Sequence, residues 1–267
     1  MSSVALSGNA SGTGTLTIAT PNTNTNYTFT LPAETGTALT SNSPGYNAFK
    51  NRIINGAMVI DQRNAGASVT PVNGAYTLDR WQAIATVTSK YSVQRNAGSV
   101  TPPVGFINYL GATSLSAYSV VAGDYFAIQQ LIEGFNIADF GWGTANASTV
   151  TLSFNVRSSL TGTFGGSIRN SNGNRSYPFT YTISSANTWT SISITIAGDT
   201  TGTWSTDNTA GIQVFFGLGV GSTYSGTAGA WAGANYLSAT GATSVVGTNG
   251  DRKSTRLNSS HITISYA

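Results

Sequence analysis

Period-two alternation of apolar and polar residues is the feature that most constrains the fold of this chain. In TGTLTIAT (13–20), Leu16 and Ile18 alternate with threonines, and YTFTL (27–31) repeats the pattern after the turn cluster PNTNTN (21–26). No apolar pattern with a 3.6-residue period persists over ten residues. Alternation of this kind is typical of half-buried β-strands.

Similar strand candidates, separated by Gly- and Asn-rich turns, recur along the rest of the chain. They are residues 52–60, 78–87, 91–95, 106–113, 125–133, 149–157, 166–169, 177–183, 189–196 and 212–220, with the first broken at Asn55-Gly56 and a single helical turn at 136–140. Many short strands at this spacing predict an all-β fold. The expected architecture is an antiparallel β-sandwich, jelly-roll-like, preceded by a short extended β-repeat segment.

Three parts differ in composition. Residues 1–45 contain the two alternating segments and a Pro/Gly linker, too few apolar residues for a core of their own, so we expect them to pack on copies of themselves in an oligomer. Residues 46–250 would form the sandwich, with 221–250 as long loops or a short final hairpin. The tail 251–267, DRKSTRLNSSHITISYA, holds the only histidine and three basic residues within five positions.

Charge is sparse, at 8% of residues, and the formal net charge is +3. The tail contributes three basic residues and one acid, so residues 1–250 carry only +1. No clustered basic face or nucleic-acid motif accompanies the charge, and we expect no nucleic-acid partner. No run of 18 apolar residues occurs and residues 1–14 lack the pattern of a secretory signal, so we expect neither membrane insertion nor a signal peptide.

Catalytic and metal motifs are weak. Cysteine is absent and His261 is the one imidazole, which disfavours nucleophilic triads and zinc sites. Asp199, Asp207 and Asn208 offer oxygen ligands for calcium, but an Asx-rich turn is the favoured interpretation. The acids form no tight motif, although a carboxylate pair assembled only by the fold stays open. The sequence therefore predicts no catalytic residue, no metal and no cofactor.

Aromatic residues in Gly-rich loops are the candidates for binding. A neutral sugar is held by the face of an exposed aromatic ring together with amide and hydroxyl groups. Trp81 and Trp189 lie in alternating strands and are expected in the core. The candidate carbohydrate-binding residues are Trp142, Trp204, Trp231, Tyr177, Tyr224 and Tyr236. Each of them has the competing interpretation of closing one end of the sandwich.

Two families are similar to these segments. GTGTLTIATPNTNTNYTFTLPAETGTALTS (12–41) resembles the short β-repeat of bacteriophage tail fibres. The stretches 52–81, 123–164 and 216–241, beginning RIINGAMVIDQ, GDYFAIQQLIE and FGLGVGSTYSG, resemble the distal sandwich of such fibres. The resemblance implies a homotrimeric shaft in 1–45, other virion proteins as partners, and a location in the virion.

The sandwich also resembles jelly-roll carbohydrate-binding modules, which implies recognition of a host cell-surface glycan. Those modules often carry an acidic residue and a calcium ion after the opening Asn-Gly, where this chain has Ala57 and Met58. Their closing strand is expected to be missing here. After Gly250 the tail resembles the translation of a sequencing adaptor assembled into a gene, which predicts that 251–267 is not native.

These observations predict a phage-like tail-fibre or receptor-binding protein that binds host glycan without cleaving it. Two alternatives stay open: a purely structural virion fibre or decoration protein, and a glycan-cleaving enzyme.

Overall fold

Thirteen strands build the part of the chain that the computed structural model describes, which is residues 51–264 and Asn24. In chain order they are β1 (Ala75–Leu78), β2 (Trp81–Ala85), β3 (Tyr91–Arg95), β4 (Leu110–Ser114), β5 (Tyr125–Glu133), β6 (Val150–Ser158), β7 (Gly162–Asn170), β8 (Ser176–Ile183), β9 (Thr190–Ile196), β10 (Ala210–Val220), β11 (Ser225–Gly226), β12 (Ser238–Ala239) and β13 (Arg252–Ile264). Three 3-10 turns, Gly134–Asn136, Ala138–Phe140 and Ser222–Tyr224, are the helical elements of these residues. None of the helices described here has the length and apolar character needed to cross a membrane.

The strands form two antiparallel sheets. The first has the order β1-β2-β5-β10-β7-β8 and the second β3-β4-β13-β6-β9, while β11 and β12 make a small parallel pair. The inner faces of the two sheets enclose one apolar core. The predicted all-β antiparallel sandwich is confirmed. The predicted shaft segment 1–45 lies outside the described residues apart from Asn24.

Alternation explains how the core is filled. On β6, Val150, Leu152, Phe154 and Val156 are fully buried at every second position. The Phe154 ring meets Phe216 of β10 across the sandwich, with centroids 5.1 Å apart. Burial of each large apolar side chain contributes roughly 1.5–3 kcal/mol, and the facing stripes set the inward side of each strand.

The first predicted strand, residues 52–60, is not a strand in the structure. Residues 52–60 form a turn instead, because Asn55 and Met58 adopt positive φ values of 53° and 55°. The Gln130 side chain replaces a strand partner there: its amide accepts from Ile54 N and donates to Ile54 O, both at 2.8 Å. The other predicted strands are present, and 91–95 and 125–133 have the predicted bounds. Residues 221–250 contain the parallel β11–β12 pair rather than a hairpin.

A strand does follow Gly250, contrary to the expectation that the closing strand is missing. β13 lies between β4 and β6 in the second sheet, where Lys253 pairs with Ala112 on one side and Ser158 on the other. The pairing with β6 is irregular, since the backbone partner of Leu257 is Phe154 and that of Ile262 is Leu152. The segment therefore occupies a central position of the sheet.

The side chains of β13 fit that position poorly. Its inward residues include Lys253, only 2% exposed, between the apolar inner faces of β4 and β6. The Lys253 ammonium donates to Gly217 O at 2.9 Å and lies 5.1 Å from the Tyr181 ring, with no carboxylate partner among the described ion pairs. Arg256 is also buried, and its Nε and Nη1 make no hydrogen bond to the part of the chain that the structure describes. Buried unpaired charges are costly.

Replacement of the buried ammonium tests this mismatch. Lys253→Met fills a similar volume without the charge, and we expect it to raise the free energy of unfolding by about 2 kcal/mol. Guanidinium denaturation measures the change. The control is Lys90→Met, because Lys90 is a partly exposed residue of the β2–β3 connection. This substitution should change the free energy of unfolding by no more than about 0.5 kcal/mol. A destabilised Lys253→Met protein would contradict the interpretation.

The same residue predicts a pH dependence. Burial lowers the pKa of Lys253 from 10.5 to about 7, so between these values the unfolded chain binds more protons than the folded chain. Stability contributed by this group therefore rises as pH increases from 7 to 9. We therefore expect the difference in free energy of unfolding between Lys253→Met and wild type to become smaller from pH 7 to pH 9. Denaturation curves recorded at each pH measure this difference. A constant gap would show that Lys253 keeps an ordinary pKa.

Candidate functional site

The three loop tryptophans predicted as sugar platforms pack against one another. The ring centroids of Trp142, Trp204 and Trp231 are 4.8, 5.2 and 5.4 Å apart, all edge to face. Tyr177 adds a fourth ring, 5.3 Å from Trp231. The four residues come from four distant segments of the chain. They form a single aromatic cluster at one end of the sandwich.

This cluster has little surface to offer a sugar. Trp142, Trp204 and Tyr177 are only 6, 7 and 8% exposed, and Trp231 is half-buried. The Trp142 indole donates to Ser148 O, and the Trp231 indole to Ala197 O, both at 2.8 Å. The N–H groups of both indoles are used internally, and of the four rings only Trp231 keeps part of its surface exposed. The competing interpretation, closure of the sandwich end, is therefore the one that their positions fit.

Asp199 takes part in the same closure and is not placed as a metal ligand. Its carboxylate accepts from Arg175 Nε at 2.7 Å and Nη2 at 2.5 Å, and from Trp204 Nε1 at 3.2 Å. Burial alone would raise the pKa of Asp199, but the hydrogen bonds and charge of Arg175, with Thr201, hold it below the ordinary value.

Asp207 belongs to a separate turn. Hydrogen bonds from Ser205 and Thr209 lower the pKa of Asp207 to about 2. Within residues 51–264, no three acidic or histidine side chains converge as a metal site would require.

An open groove lies instead on the outer face of the first sheet. Its volume is about 290 Å³. The floor is apolar, made of Ile84 on β2, Phe215 on β10 and Leu237 from the loop before β12. Tyr125 and Tyr224 stand at the margin, half-buried, with ring centroids 5.3 Å apart at 90°. The groove therefore offers ring surface that remains in contact with solvent.

Polar groups converge on this floor from neighbouring strands. Gln129 of β5 lines the groove and donates to Gln82 Oε1 at 2.7 Å, while Gln82 donates to Gly74 O at 3.1 Å. Asn73 and Asn235 contribute exposed amides at opposite margins. The groove thus combines apolar rings with several amide donors and acceptors.

The groove also contains one charged side chain. Arg169 of β7 lines it, with its guanidinium 4.9 Å from the centre of the Phe215 ring. No carboxylate is among the described residues that line the groove. Electrostatically the site is a cation set among amides and aromatic rings.

Of the predicted site residues, Tyr224 alone lines this groove. Tyr236 is not among the residues that line it. Its ring packs against Gly226, where an added Cβ would lie 2.2 Å from Tyr236 Cδ2. Sequence reasoning missed Phe215, Gln129 and Arg169, because they belong to strands and not to Gly-rich loops. The available signal was β10, where both Phe215 and Phe216 are apolar, so that both faces of one strand require cover.

A second, wider depression of about 750 Å³ lies over the second sheet. It is lined by Trp189 and by Pro102, Pro103 and Phe106 of the β3–β4 connection. Trp189 was expected in the core. It is half-buried, packs edge to face on Tyr109 at 5.3 Å and donates to Thr101 O at 2.8 Å. None of the described residues that line this depression is charged.

Comparison with known proteins identifies no family. No protein-family model matches the chain. No curated protein matches it either.

Solved structures with a similar arrangement of strands were found. The enzymatically active domain of bacteriophage CBA120 tailspike protein 4 aligns over 67% of this chain and 20% of its own, with 13% identity and a TM-score of 0.36. A CBM4 carbohydrate-binding module aligns over 78% and 99%, with 15% identity and a TM-score of 0.36. The CBM22-2 xylan-binding domain of Paenibacillus barcinonensis Xyn10C aligns over 72% and 95%, with 11% identity and a TM-score of 0.35. The chain spans only a fifth of the tailspike domain.

The packing of the aromatic cluster makes a stability prediction. Trp142→Ala removes a buried ring that two other tryptophans contact, and we expect it to lower the free energy of unfolding by about 3–5 kcal/mol. Trp189→Ala is the matched control and should cost clearly less, because that indole is half-exposed. Denaturant titration compares the two. Equal losses would show that the cluster is no better packed than the open depression.

Proposed function

We propose that the groove on the first sheet binds a saccharide without cleaving it. One observation carries the proposal: half-exposed tyrosines, an apolar floor and several amides meet in a single groove. Sugar rings have apolar C–H faces that pack on aromatic rings, and hydroxyls that pair with amides. Binding without cleavage is supported by the described lining residues, which do not include the pair of carboxyls that glycoside hydrolysis ordinarily uses.

The biological setting that we propose is a phage-like tail fibre or receptor-binding protein in the virion. Its support is the resemblance of 12–41 and of the sandwich segments to fibre sequences, and the low charge of 1–250. Residues 1–45 would join a homotrimeric shaft and contact other virion proteins, and the sandwich 46–250 would meet glycan on the host surface. Three copies of a weak site raise the effective affinity through avidity.

We also propose that 251–267 has replaced a natural closing strand. The support is the interruption of the inner apolar stripe by Lys253, together with the Nε and Nη1 atoms of Arg256, which form no hydrogen bond within the described residues. Recloning and sequencing the locus should give an apolar, alternating segment after Gly250. Recovery of this same tail by mass spectrometry of natural virions would contradict the proposal.

Glycan binding is tested with two tyrosine variants. Tyr224→Ala removes ring surface from the groove, whereas Tyr76→Ala removes a tyrosine that is 39% exposed and lies elsewhere on the same sheet. On an array of bacterial polysaccharides, we expect wild type and Tyr76→Ala to bind alike and Tyr224→Ala to lose at least ten-fold in affinity.

Other array results would favour the alternatives. Absence of binding to every polysaccharide would favour a purely structural fibre. Shortening of a bound polysaccharide, measured by size-exclusion chromatography, would favour a glycan-cleaving enzyme. Binding that Tyr224→Ala leaves unchanged would place the site elsewhere.

A further inference from the structure

Arg169 is held in the groove by neutral groups alone. Its Nε donates to Gln213 Oε1 at 3.0 Å, its Nη2 donates to the same oxygen, and its Nη1 donates to Asn235 Oδ1. The guanidinium plane lies near Phe215. These contacts fix its orientation and use three of its five N–H groups. One N–H on Nη1 and one on Nη2 remain without an acceptor among the described residues.

This arginine differs from most of the other arginines that the described residues anchor. Four of them reach carboxylates, in the pairs Arg52–Asp139, Arg80–Glu133, Arg95–Asp61 and Arg175–Asp199. Arg169 has no such partner among the described residues. Its partial burial lowers its pKa from the ordinary value. A guanidinium nevertheless stays protonated in proteins. The groove therefore contains a partly desolvated positive charge that no carboxylate of the described residues pairs with.

We propose that the groove selects acidic saccharides, whose ring carboxylate pairs with Arg169. This inference rests on the proposed saccharide binding and adds the chemical class of the sugar. The two remaining N–H groups lie on Nη1 and Nη2, the two ends of a guanidinium fork that suits a carboxylate. The tyrosines and the apolar floor would then contact the apolar ring faces. A neutral sugar fills the same groove but leaves the charge uncompensated.

Paired polymers test the selectivity directly. Alginate, polygalacturonate and hyaluronate are each compared with their carboxyl-reduced forms, which keep the backbone and lose the charge. We expect wild type to bind at least one acidic polymer ten-fold or more tightly than its reduced form at low ionic strength, with the difference shrinking as salt is added. Isothermal titration calorimetry gives both affinities.

Two variants separate a local ion pair from general charge. Arg169→Gln should bind the acidic and reduced forms equally, at the affinity that wild type has for the reduced form. Arg157→Gln removes the same charge from the second sheet, where Arg157 donates to Asn187 O at 2.8 Å, and should keep the full preference. Arg169→Lys retains the charge without the fork and should show an intermediate preference. Circular dichroism confirms that each variant is folded.

The outcomes distinguish this inference from the proposed function. Equal binding of acidic and reduced polymers by wild type, or binding of neutral glycans only, would overturn the selectivity and leave saccharide binding intact. A preference that Arg169→Gln preserves would overturn the role of Arg169. Failure to bind any polymer, acidic or neutral, would overturn both.

Discussion

The alternation of β10 at Phe215 and Phe216 is the constraint on which the rest of the structure depends. Adjacent residues of a strand point to opposite faces, so one phenylalanine must enter the core and the other must lie outside. Phe216 packs between the sheets against Phe154 and Trp81. Phe215 is left on the outer face, where it is covered by Leu237 and forms the floor of the groove. A slip of one residue would exchange the two roles.

This arrangement shows what local pattern can and cannot predict. Most strands follow from their alternation, which each segment carries by itself. The burial of Trp142 does not, because it depends on Trp204 and Trp231, which arrive from other segments. Gly143 belongs to the same closure: a Cβ there would lie 2.7 Å from Gly202 O. Glycine in these loops permits close packing, whereas the sequence alone is compatible with an exposed ring as well as a buried one.

The groove escapes sequence analysis for a related reason. Arg169, Gln129 and Phe215 come from three strands that become neighbours only when the sheet order β5-β10-β7 forms. In their own segments each residue occupies one position of an ordinary half-buried strand.

The C-terminal tail is the opposite case. Its unusual composition was visible in the sequence, and the fold shows the physical consequence: β13 contains two buried cations that form no ion pair with the described residues.

The central claim is that saccharide binds on the outer face of the first sheet and not at the tryptophan cluster. Titration of the ¹⁵N-labelled protein with an oligosaccharide that it binds tests this most directly, because none of the five tryptophans lines the groove. We predict amide shifts on β5, β7 and β10 around Gln129, Arg169 and Phe215, with the indole N–H signals unmoved. Shifts of the indole signals of Trp142, Trp204 or Trp231, with an unperturbed groove, would contradict the account.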